Sequence, residues 1–407
     1  MASTLAHGKE NSHKSKEKAS AICLVFASPA TQVGSVAIRL ADVIRLVEHS
    51  VENILVITCR NELQGTSFGD KVHFIGGNVT CPNAGDSIPS TIFGELKAQM
   101  RISRGLLWLP SDAKLVFWRG RSSTILLPLL LARLRGKKSI LLLESRGSEL
   151  VGQAYKGPLH IGGFVLSGIY KAVERVTYSL ANRLIVNVPG LLERPWLAKY
   201  KRKVFPYPAP IRFVNPDFEI SRPLSQRQTT VGYIGRMSGE KGVLNLVEAI
   251  SLIYNQMNEV KFLLGGGGPL LEQVEKELTG LIAQDRAKVF DWIPHNELPG
   301  YLNQMKLLVL PSHYEGLPTI VLEAMACGTP VSAVPVGAVP DIIADGKTGF
   351  IMEDNSPECI ARNVVRALNH PSLDQISQNA HSFVEREYSY EAMKEKWHKL
   401  LTSLSAE

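Results

Sequence analysis

No stretch of this chain is apolar over the ~18–20 residues that a membrane-spanning helix needs, and the longest attempt, Ile125 to Ala132, ends at Arg133 and Arg135. A bilayer-spanning protein is therefore not expected. Cysteine is scarce. The five that occur, Cys23, Cys59, Cys81, Cys327 and Cys359, are scattered, odd in number and without paired ligand spacing. That excludes a disulfide framework or a zinc module and fits a reducing cytoplasm. Met1 to Ser20 is polar and Lys-rich with no apolar core, so it reads as a basic, disordered, solvated tail rather than a signal peptide or anchor. Disorder as the main state is excluded, because hydrophobic residues make up 45% and charged residues 20% of the chain, ordinary globular values.

A length of 407 residues exceeds what one hydrophobic core usually supports, so two domains are expected. The net charge of +7 is unevenly spread: residues 1–205 hold 28 Lys+Arg against 14 Asp+Glu, and residues 206–407 hold 17 against 24. Clusters at Arg101/Arg104, Arg119/Arg121, Arg133/Arg135/Lys137/Lys138 and Lys199/Lys201/Arg202/Lys203 make a basic first half. It suits an anionic membrane surface or acceptor, or is plain solvated charge. Nucleic acid is disfavoured as a partner, since the basic half has neither a recognition module nor aromatics interleaved with its cations.

From Ala21, short β-branched runs alternate with amphipathic segments, the pattern of a parallel sheet covered by helices. Strands are expected at Ile22–Phe26, Ile54–Thr58, Val72–Ile75, Leu115–Trp118, Ile140–Leu143 and Leu184–Val186, and helices at Gly34–Glu48, Ser122–Arg135 and Ile169–Asn182. A proline-rich stretch, Phe205 to Arg227, reads as a linker. Strands then resume at Thr230–Ile234, Val260–Leu264, Lys288–Phe290, Leu307–Leu310 and Val331–Val334, with helices at Gly242–Tyr254, from Pro269 and from Pro318. The expected division is a tail (1–20), an N-terminal domain (21–207), a second domain (208–388) and a terminal helix (389–407) free to pack on either domain.

Three segments carry chemistry. In Gly232-Tyr233-Ile234-Gly235-Arg236-Met237-Ser238-Gly239-Glu240-Lys241-Gly242 a buried strand runs through glycines into a helix. Strand ends and helix N-termini of open α/β sheets receive phosphates, glycine lets the backbone approach, and Arg236 and Lys241 add cations for a diphosphate. An ordinary strand–helix turn with incidental cations is the plain alternative. Leu264-Gly265-Gly266-Gly267-Gly268-Pro269 brings a second bare backbone, weak evidence by itself. The strongest segment is Pro311-Ser312-His313-Tyr314-Glu315-Gly316-Leu317-Pro318-Thr319-Ile320-Val321-Leu322-Glu323-Ala324. Glu315 lies in a loop after a buried strand, and Glu323 about a turn and a half into the helix expected from Pro318. A carboxylate between Leu322 and Ala324 calls for donors, which a ribose diol supplies. Loop amides at Gly316, Leu317 and Thr319 could meet a sugar or distal phosphate. The alternative leaves Glu323 in solvent and Glu315 as a helix cap.

Taken in order, these motifs resemble the donor domain of the retaining glycosyltransferases called family 4, or group 1, over Gly232 to Leu368. Gly337, Asp341 and Asp345-Gly346-Lys347-Thr348-Gly349-Phe350 agree as well. The resemblance implies an α/β fold of two Rossmann-like domains facing a cleft (GT-B). It implies an enzyme of hexosyltransferase type that moves a sugar from a nucleotide-diphosphate sugar to a glycan or lipid-linked acceptor, in polysaccharide or glycolipid synthesis.

By that resemblance Arg236 and Lys241 hold the diphosphate, Glu315 contacts the transferring sugar, and Glu323 holds the ribose. Gly34, Gly235, Gly266, Gly267, Ile293, Gly316, Leu317, Pro318 and Thr319 line the donor. The base would lie near Asp291-Trp292-Ile293-Pro294, where Trp292 could equally be core. The first half matches loosely. The strand end at which many relatives carry a histidine reads Leu143-Glu144-Ser145-Arg146-Gly147-Ser148-Glu149. It resembles a subgroup with an acidic-x-Arg-Gly loop, so Arg146 and Glu149 become candidate acceptor-side or sugar-side contacts, or members of a salt-bridged loop. His160 has no supporting neighbours.

No Asp-x-Asp occurs, so no metal and no cofactor is expected beyond the donor itself. The polar N-terminus, the scattered cysteines and the basic first half together lead to the expectation of a cytoplasmic location, peripheral at the inner face of the membrane. Two competing readings remain: a sugar-nucleotide-binding protein without transfer, suggested by the missing histidine and thin first glycine turn, and a phosphorylase or epimerase on the same scaffold.

Overall fold

The computed structural model describes residues 19–27, 35–58, 63, 67–76, 79, 81, 88–143, 160–206 and 208–406. The first domain is a six-stranded parallel sheet. Its elements are β1 (Ala19–Phe26), α1 (Ser35–Val47), β2 (Val51–Ile57), β3 (Val72–Phe74), α2 (Ile88–Leu107), β4 (Ala113–Arg119), α3 (Ser122–Leu134), β5 (Lys138–Leu143), α4 (His160–Leu180), β6 (Arg183–Val186) and the single turn α5 (Pro195–Ala198). The order across the sheet is β3-β2-β1-β4-β5-β6.

The second domain repeats the plan. It runs β7 (Thr230–Ile234), α6 (Val243–Gln256), β8 (Lys261–Gly265), α7 (Leu271–Glu277), α8 (Thr279–Ala283), β9 (Ala287–Phe290), α9 (Leu298–Leu302), β10 (Leu307–Leu310), α10 (Thr319–Ala326), β11 (Val331–Ala333), α11 (Val339–Ile342), β12 (Phe350–Ile351), α12 (Pro357–Leu368) and α13 (Leu373–Tyr388). Its order, β12-β11-β10-β7-β8-β9, reads from the other edge as the same doubly wound sequence. Both sheets thus have their switch point beside the first strand, where ligands sit in such folds. The central strands are buried on both faces and correspondingly apolar, whereas the edge strands β3 and β9 are partly exposed.

Helix α14 (Tyr390–Ala406) returns to the first domain. Met393, Trp397, Leu400, Leu401 and Leu404 join the core of β1, α1 and β2, and the Trp397 indole N–H donates to Pro210 O at 2.9 Å. A fully buried tryptophan is worth about 3–5 kcal/mol against truncation. That decides the option left open by its sequence.

Several local expectations are corrected. A 3-10 turn, Gly239–Lys241, comes before α6. Pro318 is the N-cap of α10, whose first helical residue is Thr319, and the helix expected from Pro269 begins at Leu271. Helices α2, α12 and α13 and strand β12 were not anticipated.

The basic clusters of the first half are largely structural. Arg135 donates to Leu106 O and Leu109 O, Lys137 to Pro110 O and Ser111 O, Arg133 to Leu180 O, and Lys203 to Tyr178 O, Ser179 O and Ala181 O. These cations satisfy carbonyls in the last turns of α2 and α4 and in the residues just beyond them. Burial lowers the pKa of Lys137 and of Lys203.

The proline-rich connection is pinned rather than loose. Ala209 N–H donates to Val186 O, and Val214 N–H to Tyr388 O, so the outgoing crossing lies against the return at Ser389. Arg227 closes the segment. Its guanidinium, on a residue only 3% exposed, donates to Arg222 O, Met305 O, Cys327 O, Thr329 Oγ1 and Asn303 Oδ1 at 2.6–3.1 Å. Burial against these neutral acceptors lowers its pKa to about 10. Replacing Arg227 with Ala strands several buried acceptors at ~1–3 kcal/mol each. Chemical denaturation of that variant is expected to show a loss of at least about 3 kcal/mol, and an unchanged midpoint would refute this account of the segment.

Candidate donor cleft

A cleft of about 680 Å³ opens at the carboxyl ends of β7, β8 and β10, at the second sheet's switch point. It is lined by Arg236, Lys241, Glu315, Gly235, Gly266, Gly267, Ile293, Leu317, Pro318, Thr319 and Glu323, so residues spread over 89 positions of sequence share one wall. Gly316 is exposed on the loop beside it, its carbonyl accepting from Ala338 N–H. Gly34, Arg146 and Glu149 lie outside the described residues.

The floor is bare backbone. Gly266 has φ 132°, and a Cβ there would stand 2.0 Å from Gly235 O, so the two glycine turns touch and only glycine fits. Gly242, at φ 66°, is as tightly fixed. A Cβ there would lie 2.1 Å from Pro311 O, which holds the turn after β7 against the loop after β10. Thr319 and Ile320 of α10's first turn line the same space, at the positive end of the helix dipole.

Side chains then divide the cleft into two poles. At one, Lys241 Nζ donates to Glu315 Oε1 at 2.7 Å, and the buried Ser312 hydroxyl donates to the same oxygen at 2.7 Å. The Glu315 side chain is 8% exposed, so this pair is more than a surface ornament. Arg236 is largely exposed, with Glu240 Oε1 at 4.0 Å, and its own carbonyl accepts from the Tyr233 hydroxyl at 2.8 Å. Burial, reinforced by the charges of Glu315 and Glu240, pushes the Tyr233 phenol upward. A hydrogen bond from Ser238 lowers the Glu240 carboxyl.

At the other pole Glu323 does not face bulk water: His295 Nε2 lies 3.0 Å from its Oε1. His295 was missed, because the partners are 28 residues apart. The available signal was its place two residues after Ile293, in a loop already assigned to the cleft. Its ring packs on Phe218, with centroids 5.1 Å apart. The hydrogen bond to Glu323 raises the pKa of His295, against partial burial; Arg212 and Asp42 act on it with opposite signs. Asp42, on α1 of the first domain, pairs with Arg212 at 3.1 Å, and burial raises its carboxyl. Trp292 is not core: it is 77% exposed and stands at the cleft edge.

Two Rossmann-like parallel sheets, with a backbone-floored cleft lined by charges of both signs on the second, define a GT-B fold. Residues 216–383, within which the cleft lies, match the family model described as glycosyl transferases group 1. Among relatives, the chain is 31% identical to alpha-D-kanosaminyltransferase of Streptomyces kanamyceticus over 161 residues, 39% of this chain and 42% of that protein. It is 29% identical to the capsular polysaccharide biosynthesis glycosyltransferase CapM of Staphylococcus aureus over 168 residues, 41% of this chain and 44% of that protein. The chain thus spans less than half the length of these relatives.

Solved structures agree in fold over nearly the whole chain. Sucrose-phosphate synthase from Thermosynechococcus elongatus superposes with TM-score 0.70 at 18% identity, covering 95% of this chain and 99% of that one. The Anabaena protein HepE in complex with UDP and glucose gives 0.64 at 14% identity, covering 94% and 100%.

His295 supplies a pH test. Its protonated form clasps Glu323, and a ligand that needs that carboxylate must displace it. Because its pKa is raised, the pair persists above the ordinary value of 6.5 and dissolves as pH rises through the folded-state value. Affinity for a nucleotide that uses Glu323 is expected to increase with pH across that titration, and His295→Gln to flatten the dependence. A slope that is the same in both proteins contradicts the assignment.

Proposed function

We propose that this chain is a retaining glycosyltransferase: it binds a nucleotide-diphosphate sugar in the second-domain cleft and transfers the sugar to a glycan or lipid-linked acceptor held by the first domain. The observation that carries this reading is the convergence of Lys241, Arg236, Glu315, Glu323 and the two glycine turns on one cleft at the sheet's switch point. Relatives such as CapM, whose name places it in capsular polysaccharide biosynthesis, support a role in cell-surface polysaccharide or glycolipid synthesis. HepE, solved with UDP and glucose, supports a uridine or related diphosphate donor.

The nucleoside end seats between the glycine turns and Ile293, its ribose hydroxyls donating to Glu323 in place of His295. The diphosphate lies over Gly235–Gly266 and meets Lys241, Arg236 and the α10 N-terminus. As the anomeric bond breaks, negative charge grows on the leaving diphosphate, and pre-aimed cations and helix amides stabilise it where it develops. We assign this neutralisation to the protein's own cations rather than a metal. Lys241 also positions Glu315, whose second oxygen is left for the sugar.

A double displacement wants two carboxyls ~5–5.5 Å apart across one carbon. Glu315 and Glu323 instead serve different partners at opposite poles. Attack is therefore assigned to the face from which the phosphate departs, with that phosphate taking the acceptor's proton. Closure at the paired crossings, Val214 and Ser389, would shut out water. We place the protein in the cytoplasm; three of its cysteines, Cys23, Cys327 and Cys359, are free and buried.

The test is nucleotide release from a panel of UDP-, GDP- and ADP-sugars, with and without a chelator, beside Glu323→Ala. One donor is expected to be consumed in the presence of the chelator, with turnover down about a hundredfold or more in the variant, as for loss of a charge-assisted contact worth ~3 kcal/mol. Tight binding without release, acceptors supplied, would favour a binding protein; no binding at all would overturn the reading.

A further inference from the structure

Helix α2 is mounted with its apolar stripe outward. Phe93, Leu96 and Met100 lie on one side of the helix by their spacing and are 69%, 48% and 60% exposed. The opposite, buried side packs Ala98, Ile102 and Leu106 into the core and carries Glu95 and Gln99 beside them. The orientation is fixed by hydrogen bonds. Glu95 accepts from Thr124 Oγ1 at 2.6 Å, Tyr170 OH at 3.2 Å and Arg121 Nη1 at 3.4 Å. Gln99 Oε1 accepts the Leu127 N–H at 2.8 Å, one residue before Pro128 interrupts α3. Turning the helix to bury the stripe would strip a buried carboxylate of its donors, a loss no ordinary repacking offsets.

The stripe continues beyond α2. Trp108, one residue past its end, is 77% exposed, and Leu134 of the adjoining α3 is 86% exposed. Apolar surface of this extent on a folded domain marks a contact face. Lys97 and Arg104 are exposed along one flank of the stripe, and the surrounding half of the chain carries twice as many basic as acidic residues. An apolar stripe bordered by cations is the composition of a helix lying in a bilayer interface, where the stripe sinks below the headgroups and the cations meet anionic phosphate. A second copy would bring the same positive surface against itself, which charge opposes.

We propose that the outer face of α2, extended by Trp108 and α3, is a docking surface for an anionic membrane. This holds the first domain against the lipid with the cleft still open to soluble donor. The inference stands apart from the donor reading, since it concerns another domain and is measured without turnover. It also refines the basic patch read from sequence. Arg133, Arg135, Lys137 and Lys203 are tied to backbone carbonyls, whereas the apolar residues of α2 provide the insertion.

The test is flotation of the full chain with vesicles of phosphatidylglycerol and phosphatidylcholine, against phosphatidylcholine alone. The comparison proteins are Phe93→Ser/Met100→Ser and, separately, Lys97→Gln/Arg104→Gln. The wild-type chain is expected to partition onto the anionic vesicles, more weakly at high salt. The apolar variant should partition at least about tenfold less, ~1.4 kcal/mol, and the charge variant should lose most of the salt dependence. Unchanged thermal midpoints would show that neither variant acts by unfolding. Partition that is absent, that ignores lipid charge, or that survives the apolar variant overturns the proposal. So does sedimentation showing a dimer that the apolar variant dissociates, which would give this face to a second copy or another protein.

Discussion

The contact on which the donor cleft depends is the one between Lys241 and Glu315. They come from the turn after β7 and the loop after β10, strands 73 positions apart in sequence but neighbours in the sheet. Parallel pairing of β7 with β10 brings the two loops side by side, and glycine at 242 lets their backbones meet. The ion pair at 2.7 Å then fixes both side chains before any ligand arrives. Each group restrains the other: the ammonium orients the carboxylate, and the carboxylate holds the ammonium at the cleft wall. Such pre-aimed charge is what stabilisation of a departing diphosphate requires, because little reorganisation remains when the bond breaks.

The first domain solves a different problem. Its helices end in carbonyls that Arg133, Arg135, Lys137 and Lys203 satisfy, so much of its positive charge is committed to closing helices. Charge and apolar surface are thereby separated in role. The cations around α2 and α4 mainly finish the fold, while the buried Glu95 network sets the rotation of α2 and leaves an apolar stripe at the surface. The second domain instead gathers its charged groups Arg236, Lys241, Glu315 and Glu323 around one cleft, with Trp292 exposed at its edge. Between the two, the segment through Ala209 and Val214 and the return into α14 connect the domains twice.

How far the sequence revealed this follows from how local each signal is. Strand–glycine–helix turns are written in consecutive residues, so β7, β8 and β10 and the cleft-lining glycines were readable, as was the alternation that gives two doubly wound sheets. Contacts set by tertiary pairing were not. His295 reaches Glu323 from another loop, Arg227 collects acceptors from Leu302 to Thr329, and Trp292 leaves the core only because its loop turns outward. Helix α2 was missed for a physical reason: it carries apolar residues on two sides, Ala98, Ile102 and Leu106 inward and Phe93, Leu96 and Met100 outward, with Glu95 and Gln99, which look like surface, also turned inward. A pattern rule that equates apolar with buried cannot orient such a helix.

The central claim, that Lys241 held by Glu315 receives the second phosphate of a nucleotide, is tested most directly by calorimetry. A nucleoside diphosphate and its monophosphate would be titrated into the wild-type chain and into Lys241→Ala. The account expects the wild type to favour the diphosphate by at least about tenfold, ~1.4 kcal/mol, and the variant to bind both nearly alike, with the monophosphate affinity little changed. A diphosphate preference that survives intact in Lys241→Ala would contradict it.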